Sequence, residues 1–267
     1  MPAAIIHPTA VVEDGARLGE GVEIGAYSIV GAHVVLGPGT RVLPHVYLDG
    51  WTTIGAGCTL YPFASLGTRT QDLKYTGGNP RVEIGDRTVI REYVTVNAAT
   101  HDGGVTRVGA GCLLMAYAHV AHDCVVGNEV IIANCGTLAG HVIIEDQATV
   151  GGLCGVHQFV RLGRLCITGG CSKVVQDVPP FMMADGNPLA IYGLNSVGLK
   201  RRGVSAEAQR VLKQAFRLLY REGLAPRPAV DRIRAEVELL PEVRHLLDFV
   251  GSSTRGITAG ARGGESG

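Results

Sequence analysis

The stretch AYAHVAHDCVVG, residues 116–127, places His119, His122 and Asp123 close together among apolar and small neighbours. A histidine beside an aspartate suits two chemistries. In the first, the carboxylate fixes the imidazole tautomer, and the other ring nitrogen takes a proton from a hydroxyl as general base. An ordinary imidazole pKa of about 6.5 suits such work near neutrality. In the second, histidines converge on zinc and leave a water position open, as three-histidine sites do. Which chemistry applies depends on where each side chain points, and hence on the elements that carry it.

Those elements follow a six-residue repeat. Ile6, Val12, Leu18, Ile24, Val30, Leu36, Val42, Leu48, Ile54, Leu60 and Leu66 recur at every sixth position. The phase returns at Ile84, Ile90 and Val96, and again from Val108 to Val174, with Thr168 its polar member. Two places before these aliphatics stand small or β-branched residues such as Ala10, Val22, Ser28 and Thr40. Glycine often follows directly, as at Gly19, Gly25, Gly37 and Gly55. The period is neither helical nor a plain alternation. It predicts a parallel β-helix in which each unit supplies one short strand and one turn, three units closing a coil of about eighteen residues. The aliphatic and the small residue face inward, and the following glycine is expected to relax the corner backbone.

Two polar, glycine-rich excursions, 67–83 and 97–107, read as loops thrown out from the stack. The organisation predicted is an all-β solenoid plus α. The solenoid covers 1–186, an α-helical domain covers 187–257, and a disordered tail covers 258–267. Ser205 is placed as the N-cap of a helix carrying Val211, Leu212, Ala215, Phe216, Leu218 and Leu219, with further helical segments after Pro228 and Pro241. On an eighteen-residue coil His141 lies above Asp123 and nearly above His122, with His157 on the next coil. None of these histidines falls on the inward phase, so core packing does not account for them.

Composition narrows the classes further. Twenty-four basic residues balance twenty-four acidic ones, so no global charge argues for nucleic acid or an anionic membrane. The seven cysteines are odd in number and include no CxxC pair; Cys58, Cys112, Cys124 and Cys154 read as small, reduced, buried residues. No leader-like segment and no apolar run of about 18 residues is present, which predicts a cytoplasmic protein without a membrane span.

Over nearly its whole length, to SSTRG at 252–256, the sequence resembles the bacterial UDP-N-acetylglucosamine O-acyltransferases that begin lipid A synthesis. The resemblance is carried, in order, by QDLKY (71–75), RVEIGD (81–86), AHVAHDCVVGN (118–128), LAGHV (138–142), VHQF (156–159), GGCS (169–172), QDVPP (176–180) and GLKRRG (198–203). It implies a homotrimer of left-handed β-helices with C-terminal helices and active sites between subunits. It implies transfer of an (R)-3-hydroxyacyl chain from acyl carrier protein to the 3-hydroxyl of UDP-N-acetylglucosamine. His122 matches the family's general base, Asp123 its orienting acid, and the backbone N–H of Gly140 the oxyanion donor. Asp72, Lys74, His119, His141, His157, Gln158 and Asn195 match substrate-contacting positions. Arg201 and Arg202, with Lys200, suit a phosphate or the acidic carrier protein. Gly170 matches the position that limits acyl length, and a glycine there favours a longer chain.

The resemblance implies no cofactor and no metal, because the acyl group arrives on the carrier protein's phosphopantetheine and an oriented hydroxyl attacks it directly. Two other readings stand beside it. The acceptor is a 3-amino sugar and the product an amide, or His119, His122 and His141 bind zinc as in carbonic anhydrases of this fold. The sequence departs from the family at VNAAT (96–100), which lacks the usual Arg-Gly pair, in a second loop one residue shorter, and at Pro188, where some relatives carry histidine.

Overall fold

The computed structural model describes residues 3–261. Strands mostly two residues long stack into three sheets of 11, 9 and 8 strands, the three faces of a parallel β-helix. A neighbouring coil normally lies 18 residues away. Across the first loop the step is 30, and across the second it is 24. All three are multiples of six, so both loops leave and re-enter without disturbing the inward phase. Thr59 accordingly pairs with Arg41 below and Val89 above, all in one sheet.

The inward positions are those the repeat marks. Leu36, Leu48, Ile54, Leu60, Leu66, Ile90, Leu114, Ile132, Leu138 and Ile144 are fully buried, each contributing about 1.5–3 kcal/mol. The smaller residue two places earlier shares the interior and, where polar, bonds to the backbone across the coil. Ser28 donates to the Leu43 carbonyl at 2.9 Å and Thr40 to that of Gly55 at 2.7 Å. Cysteines occupy the same slot: Cys112 and Cys124 each reach a carbonyl at 3.1 Å. Burial pushes their thiols up to about 11 and about 12, leaving them protonated and unreactive. All seven cysteines are free, so the reading of reduced thiols holds.

The corners differ from expectation. Except at Gly67 (φ 82°), the glycine after an aliphatic is not the residue that bends the backbone. It is required by close stacking: a Cβ on Gly37 would lie 2.5 Å from the carbonyl carbon of Gly55 on the next coil. The left-handed conformation falls two places later, mostly on residues other than glycine, among them Asp123 (φ 58°) and His141 (φ 61°). Each such residue costs about 1–2 kcal/mol, met by the pairing of the coils either side. Along one corner the sequence puts Tyr27, His45, Phe63, Tyr93 and Tyr117 at this position. Their rings stack continuously at 5.2, 5.1, 4.9 and 4.7 Å, and they form an exposed aromatic ridge.

Beyond the last coil, Met182–Asp185 continues a sheet in parallel and pairs antiparallel with Ala190–Leu194. Residues 190–194, assigned from sequence to the helical domain, therefore extend the solenoid. Helices α1 (Ser196–Arg201), α2 (Ala206–Tyr220), α3 (Pro226–Glu236) and α4 (Pro241–Gly251) follow. Ser205 caps α2 by accepting from Ala208 N at 3.1 Å. The third helix starts at Pro226, ahead of Pro228, because a proline at the first helical position has no N–H to satisfy.

The tail expectation needs correction for 258–261. Thr258 N donates to Asp177 O at 2.8 Å, Ala261 N donates to Ile191 O at 2.9 Å, and Thr258 is buried. This segment is ordered because it satisfies backbone groups left open at the solenoid's end. The rest of that call, 262–267, lies outside the described residues. No helix among the described residues is long and apolar enough to cross a membrane.

Candidate active site

His122 and Asp123 turn one corner of the prism. The left-handed φ at Asp123 folds its carboxylate back towards its neighbour's ring, so Oδ2 accepts from His122 Nδ1 at 2.9 Å. The same oxygen accepts from Thr100 Oγ1 at 2.7 Å and Thr100 N at 3.2 Å. Burial alone would push the Asp123 carboxyl up. The hydrogen bonds from Thr100 and His122, with the nearby charge of His141, outweigh it and hold the group below its ordinary value. Asp123 is therefore an acceptor-only carboxylate, so in the neutral His122 ring the proton sits on Nδ1 and Nε2 carries the lone pair. Nε2 makes no hydrogen bond among the described residues.

Gly140 lies against that nitrogen. A Cβ there would fall 2.2 Å from His122 Cε1 and 2.5 Å from Nε2, so only glycine lets the ring sit where it does. At another corner of the prism a side chain from the next coil caps the N–H at this phase, as Asp86 does for Ala56 at 2.8 Å and Asp146 for Asn128 at 2.7 Å. At Gly140 the next coil offers Gln158, and the N–H makes no hydrogen bond among the described residues. An uncapped N–H beside an unprotonated imidazole nitrogen suits a reacting carbonyl.

A cleft of about 560 Å³ opens over His122 and over Ala139 and His141, the neighbours of Gly140. Asp72, Lys74, His119, His122, His141 and Gln158 all line it, so the structure gathers six of the residues picked from sequence. His119 is held through Nδ1 by Thr95 Oγ1 at 2.6 Å. Burial, and next His122, pushes its pKa down, so it is neutral near pH 7.

Other candidates lie apart from this cleft within the chain. His157 is exposed, bonds the Gln158 carbonyl at 3.1 Å and does not line the cleft. The ring above His141 is Phe159, stacked at 4.7 Å, so the expected column of three histidines is two histidines and a phenylalanine. Asn195 caps α1 by accepting from Gly198 N at 3.0 Å and donates to Leu165 O at 3.0 Å. Arg202 pairs with Glu129, while Lys200 and Arg201 flank a separate groove with Val197 and Gln209. Gly170 sits at an exposed corner with only the Gly152 carbonyl within reach of an added Cβ, at 3.4 Å.

Sequence reasoning missed Thr100, Asn97 and Phe159. Thr100 stood in view inside VNAAT, but nothing local shows that an excursion returns to Asp123. Where the usual Arg-Gly pair is absent, Ala98 and Ala99 are buried at the start of the second loop. Among the described residues, the ligand-capable atoms that approach one another are those of His122, Asp123 and His141, within 4.8 Å. His119 is not among them, so the three-imidazole zinc set is not assembled within one chain. Asp123 Oδ2 already accepts three hydrogen bonds, a poor starting point for a cation ligand.

Comparison with known proteins places this geometry. A family model described as UDP-N-acetylglucosamine O-acyltransferase, domain 2, matches residues 177–258, and one for bacterial transferase hexapeptide repeats matches 106–140. An acyl-[acyl-carrier-protein]–UDP-N-acetylglucosamine O-acyltransferase of Synechocystis is 50% identical over 209 residues, 78% of this chain and 75% of its own. The chain belongs to the UDP-N-acetylglucosamine O-acyltransferase family. The relative of the same name from Thermodesulfovibrio yellowstonii is 48% identical over 83% of this chain and 86% of its own. Among solved structures, the family member from Moraxella catarrhalis superposes with a TM-score of 0.90 at 40% identity, covering 95% of this chain and 99% of that one. The Campylobacter jejuni enzyme gives 0.89 at 38% identity, covering 96% and 100%. The solenoid has the left-handed sense of this family.

Proposed function

We propose that this chain is an acyl-[acyl-carrier-protein]–UDP-N-acetylglucosamine O-acyltransferase and catalyses the first step of lipid A biosynthesis. The observation that carries the mechanism is the Thr100–Asp123–His122 relay ending in a free Nε2 beside the uncapped Gly140 N–H. His122 Nε2 takes the proton from the sugar 3-hydroxyl as its oxygen attacks the thioester carbon. Asp123 holds the imidazole in the reactive tautomer and stabilises the imidazolium. The Gly140 N–H receives the negative charge on the carbonyl oxygen, a contribution of about 3 kcal/mol to the barrier. The intermediate then collapses: the C–S bond breaks, and His122 returns the proton to the departing phosphopantetheine thiolate. No covalent enzyme intermediate and no cofactor takes part.

Asp72 and Lys74 bind the nucleotide sugar from the first loop, helped by His119, His141, His157 and Gln158. Asn195 contacts substrate, Arg201 and Arg202 hold a phosphate or the acidic carrier protein, and Gly170 leaves the acyl channel open to a longer chain. The cytoplasm, where acyl carrier protein is available, is the site of action. The active form is a homotrimer, in which the aromatic ridge gives each copy a contact surface and residues remote from the cleft reach it from a neighbour.

An acyl-transfer assay on metal-free protein tests this reading. It offers (R)-3-hydroxyacyl carrier proteins of several lengths with UDP-N-acetylglucosamine and its 3-amino analogue in parallel. Ester product without zinc is the expected result. Amide alone reassigns the acceptor, and no product with stoichiometric zinc in the purified protein means that the histidines form a metal site.

A further inference from the structure

The second loop does more than cover Asp123. Its residues 97–102 touch two functional parts in turn. Asn97 Nδ2 donates to Thr68 Oγ1 at 3.0 Å and to Arg69 O at 3.4 Å, where the first loop departs. Thr100 binds Asp123 Oδ2 through N and Oγ1, and His101 Nδ1 lies 3.7 Å from the other carboxylate oxygen. Asp102 Oδ1 then accepts from Asn79 N at 2.8 Å, where the first loop returns to the solenoid.

The fit at this last contact is specific. Gly78 adopts φ +110°, and a Cβ on it would lie 2.9 Å from Asp102 Cβ, so the two loops meet without room for a side chain. Gly104 serves His101 likewise, since a Cβ there would lie 2.7 Å from the imidazole. Within the first loop, Tyr75 OH donates to Gly78 O at 3.3 Å and Lys74 N to Asp72 Oδ1 at 2.9 Å. The chain of contacts thus runs from Asp102 through Asn79 and Gly78 to Tyr75, beside the two cleft residues Asp72 and Lys74.

We propose that Asp102 is a positioning residue for the loop bearing Asp72 and Lys74, and that segment 97–102 ties this loop to the His122–Asp123 pair. The assignment of substrate to the loop rests on the function proposed above; the mechanical tie does not. One segment that touches both parts holds the first loop in place over the cleft, so that Asp72 and Lys74 are pre-ordered for binding before the sugar arrives. Asp102 does not line the cleft and touches no reacting atom.

The test compares wild type with Asp102→Ala and Asp102→Asn. Asparagine keeps an acceptor oxygen for Asn79 N–H. Asp102→Ala is expected to raise KM for UDP-N-acetylglucosamine about tenfold while kcat changes less than about threefold, and Asp102→Asn is expected to restore most of the loss. An unchanged KM in Asp102→Ala, or equal damage in both variants, overturns the proposal. Amide hydrogen exchange over 69–80 provides a readout that needs no activity. Faster exchange there in Asp102→Ala, with the coils unaffected, supports the tie, and unchanged exchange overturns it. Wild-type protein that transfers nothing sinks the functional reading alone, and the exchange measurement then decides the mechanical claim.

Discussion

At the scale of single residues, the site works because one carboxylate is saturated with donors. Asp123 is charged, nearly enclosed and committed to His122 Nδ1, so His122 presents only Nε2 to the cleft. His122→Ala should lower kcat by about a hundredfold or more while the melting temperature stays within a few degrees of wild type. Activity within tenfold of wild type would remove His122 from the role of base. Asp123 also leaves a mark on stability. Its carboxyl is held below the ordinary 3.8, so its stabilisation is complete above that value and is lost as pH falls through the lower folded value. Acid unfolding followed by circular dichroism should show wild type losing stability more steeply below pH 3.8 than Asp123→Asn.

At the scale of elements, the β-helix sets distances by stacking. Successive coils lie about 4.8 Å apart, and glycine at the contact decides whether a ring fits between them. Gly140 is the sharpest case, because its missing Cβ is the space that the His122 ring occupies. Gly140→Ala should displace the imidazole and reduce kcat about a hundredfold, with little change in KM for either substrate. Wild-type kcat in that variant would show that the ring has another seat. The loops follow a different rule: because each adds whole hexapeptides, the solenoid tolerates them, and they are free to carry Asp72, Lys74 and Thr100 to the corner where Asp123 turns.

At the scale of the whole molecule, the ridge of Tyr27, His45, Phe63, Tyr93 and Tyr117 is a large apolar feature left open to solvent by a single chain. A continuous patch of this kind marks an interaction surface. Sedimentation equilibrium should give a trimer, and a Tyr93→Glu/Tyr117→Glu double variant should dissociate it and lose transfer activity with His122 intact. A wild-type protein that sediments as a monomer and still transfers acyl chains would show that one chain completes the site.

Much of this architecture is legible in the residues because a solenoid repeats one local rule. The sixfold aliphatic period fixes which side chains face inward, and the eighteen-residue coil puts His141 beside His122 without any folded coordinates. The α2 cap at Ser205 and the buried cysteines follow from equally local chemistry. Where contacts are not periodic, the sequence is silent. It placed His157 in the column that Phe159 occupies, because a two-residue offset at a corner sends a side chain round the edge. It gave no sign that Thr100 and Asp102 return from an excursion to hold Asp123 and Asn79, or that 258–261 closes the end of the solenoid. The sequence by itself determined the repeat, the inward face and the histidine–aspartate pair, since each depends on neighbours at fixed spacing. Only the tertiary structure decided the proton's place on His122, the seat that Gly140 leaves for it and the tie between the loops, since those depend on residues that the chain brings together from far apart.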